Sequence, residues 1–314
     1  MHVSDTCDPE CAATAAALPL ILATPAFAAL HDPHDGARHA IVACDCAGST
    51  IPPGFDRPSL RTMRRGAELL RFGARRLRLD EDAYLIANAG GDRSSAYAGG
   101  AGVVSPLLIV FGRAALAQSR LAPEAAADEA DPATDAAGFL DTLQPHGGAV
   151  TQLLRQIERG VQLRVDDALW WDERIALLLA AVLDAEAALR RREGAVAALK
   201  PATRRELLRR VLIASDHIQS HYDQPLALHD IAAAAHLSAF HLVRLFQCVH
   251  GITPHAYLTR KRLGVALRLL AHTPLGLEEI AARTGLGTRS SLFRHLRRQQ
   301  GSGAAALRAR AGAG

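Results

Sequence analysis

Apolar positions recur one helical turn apart in two matched blocks near the C-terminus, Leu226 to His250 (LALHDIAAAAHLSAFHLVRLFQCVH) and Leu275 to Gln300 (LGLEEIAARTGLGTRSSLFRHLRRQQ). Each block predicts a short helix, a tight turn and a second helix. The short helices turn Leu228, Ile231, Ala232 and Ala235, or Leu277, Ile280 and Ala281, inward. The second helices bury Leu242, Leu245 and Phe246 in one case and Leu292 and Leu296 in the other. Ser238 and Thr288 stand where a hydroxyl caps the free N–H groups of a first turn. Between the blocks, Thr253 to about Ala271 predicts a connecting helix with Pro254 in its first turn. At ~1.5 Å per residue its nineteen residues would span about 28 Å, near the ~34 Å between successive major-groove faces of one duplex.

Upstream the period changes. From Ile41 to Phe111 short alternating runs are broken by Gly, Pro and Asn, with strands expected at Leu69 to Phe72, Arg76 to Leu79, Ala83 to Ile86 and Leu107 to Phe111. That pattern predicts an antiparallel β module within residues 37–148, following an irregular Ala-rich segment, 1–36. Residues 112–137 lack apolar periodicity and are expected to form a linker. Residues 149–200 repeat apolar positions at helical spacing and predict a helical hairpin, with Pro201 and Thr203 marking the boundary to a helix over Arg204 to His221. The fold class expected is α+β multidomain, ending in an all-α domain over 203–310 whose helix-turn-helix units occupy 226–250 and 275–300.

Charge separates the two halves. Residues 203–314 hold 16 Lys+Arg against 6 Asp+Glu, which leaves 20 against 26 in the first 202. A basic excess confined to the part with the paired units favours nucleic acid or an anionic surface, and the paired helix-turn-helix units themselves point to double-stranded DNA. Ala12 to Ala29 imitates a secretory signal, but Asp5, Asp8 and Glu10 stand where Lys or Arg belongs, so a cytoplasmic location and no membrane association are expected. Five cysteines also suit a reducing compartment, and one of them, Cys248, within the second helix of the first block, is expected to be part of its packing.

A major groove ~12 Å wide admits one helix, whose outward residues meet base edges. In the first block those positions are Ser238, Phe240, His241, Val243, Arg244 and Gln247; in the second they are Thr288, Arg289, Ser290, Ser291, Arg294 and Arg298. Arg244 and its counterpart Arg294 are the expected base readers, since a bidentate Arg–guanine pair is worth about 1–3 kcal/mol of discrimination. Arg210, on the helix before the first block, is expected to hold phosphate without regard to sequence.

These residues carry a specific resemblance. Leu242-Val-Arg-Leu-Phe246, Gly251-Ile-Thr-Pro254, Tyr257, Arg262-Leu263, Ala266 and Leu269-Leu270, then Ile280-Ala281, Gly285-Leu286 and Ser291-Leu-Phe-Arg294, resemble the DNA-binding domain of the AraC/XylS family of bacterial transcriptional regulators. Leu296, Gln300 and Ser302-Gly-Ala304 depart from the family pattern, which has aromatics and a proline there. More weakly, Arg71 to Asp80, Asp82 to Asn88 and Leu107 to Phe111 resemble the family's sensing domain. The resemblance implies a cupin-like β-barrel with a helical dimerisation segment. It implies a small-molecule effector, a homodimer, contact with RNA polymerase and control of transcription, as an activator. Arg76, Arg78, Tyr84 and Asn88 are the candidate ligand-pocket residues.

No closely spaced histidine pair lies within the β module, so no metal, cofactor or catalysis is expected of it. Cys7, Cys11, Cys44 and Cys46 could supply four thiols to one zinc, as in Ada-type DNA-repair sensors, which also carry an AraC-type domain. However, the second pair has one intervening residue instead of two, and Asp8, Glu10 and Asp45 disfavour thiolate. An Ada-like sensor and a non-specific DNA-binding protein remain the alternatives to a sequence-specific regulator.

Overall fold

The computed structural model describes residues 20–21, 39–43, 57–73, 75–88, 93–97, 104–113, 115–116, 139–196 and 200–300. The chain divides into two compact units, Met1–Arg190 and Arg191–Gly314. Cys7, Cys11, Cys44, Cys46 and nearly all of the acidic 112–137 tract lie outside the described residues.

The first unit contains two antiparallel sheets. One has six strands in the order β1 (Leu20–Ile21), β2 (Ala40–Ala43), β8 (Ser105–Val110), β3 (Ser59–Arg65), β6 (Ala83–Ala87) and β9 (Leu143–Pro145). The other has β5 (Arg75–Asp80), β4 (Ala67–Phe72) and β7 (Arg93–Tyr97). All four expected strands are present, and β1, β2, β3, β7 and β9 are additions to them; β1, β7 and β9 lie in short, polar or Ala-rich segments that did not announce them. Leu20–Ile21, inside the segment expected to be irregular, pairs with Ala43 and Val42. Among the described residues the two sheets do not close into one barrel.

Strand period explains how one sheet serves two cores. On β6, Tyr84 and Ile86 face one interior and Ala83 and Leu85 the other, and all are buried. The first interior is closed by a helical hairpin, α1 (Gly148–Leu163) and α2 (Ala168–Arg191). Val150, Leu154, Ile157, Trp171, Ile175, Leu178 and Val182 pack there with Leu60, Leu107, Ile109 and Phe111. The inner face of the hairpin is thus occupied by its own sheet. Its exposed large apolar residues are Leu163, Leu169 and Leu177. Leu116, at the start of the expected linker, is buried in this core as well.

The second unit is helical: a 3-10 turn (Arg192–Ala195), then α3 (Pro201–His221), α4 (Leu228–Ala234), α5 (Ala239–His250), α6 (Pro254–His272), α7 (Leu277–Arg283) and α8 (Arg289–Gln300). Pro201 opens α3 as its first residue, three positions before the expected start, because a first turn needs no N–H from it. Among the described residues no single helix is long and apolar enough to cross a membrane.

Candidate nucleic-acid interface

The two helix-turn-helix units are built alike. Each first helix has seven residues and each second helix twelve. At the turn, His236 and Gly285 both take the left-handed conformation, with φ of 53° and 69°. The N–H of Leu237 reaches Ala232 O at 2.9 Å, and that of Leu286 reaches Ala281 O at 3.0 Å. The N–H groups of His236 and Gly285 donate to Ala233 O and Ala282 O. This double bond pattern closes the free carbonyls of the first helix and reverses the chain. Ser238 Oγ then accepts from His241 N at 3.3 Å, and Thr288 Oγ1 from Ser291 N at 3.2 Å, so both expected caps are in place. Unit two inserts one further residue, Gly287, before its cap.

The second helices bury Leu242, Leu245, Phe246 and Val249, or Leu292 and Leu296. Leu296 is fully buried among Leu263, Leu270, Ile280 and Leu292, so an aliphatic residue fills the place of the family's aromatic. The opposite faces carry the expected DNA-facing set. Ser238, Phe240, His241, Arg244, Gln247, Thr288, Arg289, Ser290, Arg294 and Arg298 are exposed, and Val243 and Ser291 are half-buried at the edges. Phe240 is 77% exposed on this face. Among the described residues neither Arg244 nor Arg294 has a hydrogen bond or ion pair, so both guanidinium forks are open. Arg297 lies over the Phe293 ring at 5.7 Å.

Three expectations change. Arg210 is a brace rather than a free phosphate ligand, because its Nε donates to Glu206 Oε1 at 2.8 Å and its Nη1 to His236 O at 3.0 Å. Leu228, expected inside, is 40% exposed at the start of α4. Cys248, expected to be part of the packing, is exposed and free.

The domain's two halves are joined by α6, capped by Thr253 Oγ1, which accepts from Ala256 N. At its start, His250 stacks on Phe246 (4.4 Å between ring centroids) and Tyr257 (5.1 Å). Burial, with Arg192 and Arg260 nearby, pushes its pKa down to about 4. Its Nε2 has no hydrogen-bond partner among the described residues. Tyr257 is pushed upward by its own burial.

The four candidate ligand residues of the β module do not converge. Arg76 and Arg78 lie on β5, Arg76 exposed and Arg78 half-buried. Tyr84 is buried in the first core, and burial together with Glu186 pushes its pKa up to about 12. Asn88 is taken up by a backbone clip: its Nδ2 donates to Phe139 O at 2.6 Å, and Phe139 N donates to its Oδ1 at 2.8 Å. A cavity of about 30 Å³ lies elsewhere, beside the buried Arg61–Glu68 ion pair, with room for little more than one water. The described residues include no group of three or more His, Cys, Asp or Glu able to hold a metal.

Comparison with known proteins bears on this domain. Residues 231–310 match a helix-turn-helix domain family. "Probable transcriptional regulator LumQ" of Photobacterium leiognathi is 33% identical over 31% of this chain and 38% of its own length. The right origin-binding protein of Escherichia coli strain K12 is 43% identical over 19% of this chain and 22% of its own. The chain thus spans between about a fifth and two fifths of the length of these curated relatives. A solved structure, the DNA-binding domain of the global transcriptional factor AdpA in complex with a target DNA, is 30% identical. It covers 33% of this chain and 93% of that one, with a TM-score of 0.32.

Proposed function

We propose that the C-terminal helix-turn-helix domain is of the AraC type and that the protein is a sequence-specific DNA-binding regulator of transcription. The observation that carries this proposal is the pair of capped twelve-residue helices, each with an open arginine at the same place, Arg244 and Arg294. A helix of this kind lies in the major groove with its outward side chains on base edges, and two on one linker helix address successive faces of a duplex. Ser238, Phe240, His241, Val243, Arg244 and Gln247 form the first reading face. Thr288, Arg289, Ser290, Ser291 and Arg294 form the second, with Arg298 at its phosphate-facing rim.

The first unit, with its two sheets and helical hairpin, is proposed as an effector-sensing module of the cupin-like kind. Its exposed leucines, Leu163, Leu169 and Leu177, suit a homodimer contact. Effector binding would then alter the spacing or freedom of two DNA-binding domains, and so promoter activation through RNA polymerase in the cytoplasm.

The test is competition among genomic fragments for the purified protein across a salt series, followed by footprinting. Retention of a few fragments against competitor DNA, with a protected site of about two major-groove turns per protomer, is expected. Uniform retention that collapses with salt would replace the regulator with a non-specific binder.

A further inference from the structure

The end of α3, the middle of α6 and the turn of the second helix-turn-helix unit meet at one point. Arg262, on α6, donates from Nε to Tyr222 O and from Nη2 to Gln224 O, both at 2.7 Å. These carbonyls follow the last turn of α3, where free acceptors and the negative end of the helix dipole both favour a guanidinium. Lys261 sits beside it, with Nζ 4.9 Å from the centroid of the Tyr222 ring. Against the other side of this junction presses Gly285. A Cβ there would lie 2.8 Å from Tyr222 O and 2.9 Å from Arg262 Nη2. The equivalent turn of the first unit is built from His236, a residue with a full side chain.

We infer that the Arg262 fork, clasped between Tyr222–Gln224 and Gly285, is a positioning device that fixes the second recognition helix relative to the first and thereby sets which half-site spacing the protein accepts. Arg262 touches no base in this role. It acts through backbone atoms of α3, which packs against α4 and α5 of the first unit, and through its own helix, against which α7 and α8 of the second unit pack. A two-pronged fork to two carbonyls resists rotation as well as separation, which a single bond does not. The small residue at 285 lets the second turn seat directly on that fork.

The inference rests on the DNA-reading function proposed above, so its test has one arm without DNA. Ketone-bearing residues at the exposed positions Ala239 and Arg289 of the full-length chain, coupled to nitroxides, report the distance between the two recognition helices by pulsed electron resonance. The unaltered junction is expected to give one narrow distribution, and Arg262→Ala a broad one at unchanged helical content. In the second arm, unlabelled protein selects sites from random duplexes. The selected site is then lengthened by one base pair between its halves, with a loss of about tenfold expected for the wild type and less than about twofold for Arg262→Ala. Arg262→Lys keeps the charge but not the fork, and should fall between them in both arms. If Arg262→Ala loses helical content, Arg262→Lys decides. A folded variant with the wild-type distribution and the wild-type spacing preference overturns the inference. A wild type that selects no sequence overturns the DNA-reading function instead, while the distance arm still decides whether the junction holds the helices.

Discussion

The two helix-turn-helix units share a backbone plan and differ in what they place on it. Between Ala239–His250 and Arg289–Gln300 two buried positions keep their kind, Leu242 with Leu292 and Phe246 with Leu296, while buried Leu245 and Val249 correspond to His295 and Gln299. The outward positions diverge. The first helix carries one arginine, Arg244, among Phe240, His241, Val243 and Gln247, whereas the second carries Arg289, Arg294, Arg297 and Arg298. A surface with an exposed Phe and a half-buried Val beside one guanidinium suits base edges and thymine methyl groups. One with four arginines adds, around the proposed base reader Arg294, phosphate contacts whose affinity comes from counterion release and carries little sequence information. The turns diverge too, His236 against Gly285, because only the second is pressed against a neighbouring backbone.

Exchanging the turn residues tests that last contrast most severely. Gly285→His should destabilise the helical domain by about 1–3 kcal/mol in denaturant unfolding, since even the Cβ meets Tyr222 O. Unchanged stability would mean that the close approach at this turn is not a constraint. Division of labour between the recognition helices is tested next. Arg244→Ala should cost about 1–3 kcal/mol at one base pair of the selected site and little elsewhere. Equal losses on cognate and random duplexes would remove Arg244 from base reading. Arg297→Ala with Arg298→Ala should weaken all duplexes alike and reduce the slope of log K against log salt by about 1.8. A loss confined to one sequence would reverse the roles assigned to the two helices.

A difference in pH response should follow from His250, whose counterpart in the second unit is Gln300. The folded domain holds His250 neutral down to about pH 4, while the unfolded chain takes up a proton near 6.5. The stability from keeping it neutral is therefore fully present above 6.5 and is lost as pH falls toward 4, by no more than ~1.4 kcal/mol per pH unit. In thermal melts between pH 7 and 4, His250→Phe should show a shallower decline than the wild type; parallel curves would show that the imidazole accepts a proton in place. The smallest effect expected is from His236→Gly. Relieving a left-handed non-glycine residue should stabilise by about 1 kcal/mol in denaturant unfolding. A loss of stability would show instead that the His236 side chain contributes more than its backbone strain costs.

Much of the helical domain was legible because its signals are local. Period, cap and turn act within one or two helical turns, so Ser238, Thr288, Pro254 and the buried leucines could be placed from neighbours in sequence alone. The outward faces followed from the inward ones by helical geometry, and for that reason the expected DNA-facing residues are all exposed or at the rim. Arg210 was misassigned because sequence shows a charge but not its partner: Glu206 lies one turn away, yet His236 O is 26 residues on. The β module was less legible. Strands β1, β7 and β9 are short and exist only through pairing with distant segments, and Tyr84 and Asn88 resemble pocket residues until the core and the Phe139 clip claim them.

By itself, the sequence determined the helix-turn-helix plan, the outward faces of its two second helices and the basic character of the part that bears them, since each depends on residue type at fixed local spacing. Tertiary structure decided that the six-stranded sheet buries both of its faces, that the hairpin spends its apolar stripe on that sheet, and that Arg262 bridges Tyr222, Gln224 and the turn at Gly285. Those outcomes depend on which distant backbone atoms arrive beside a side chain, and separation along the chain carries no information about that distance.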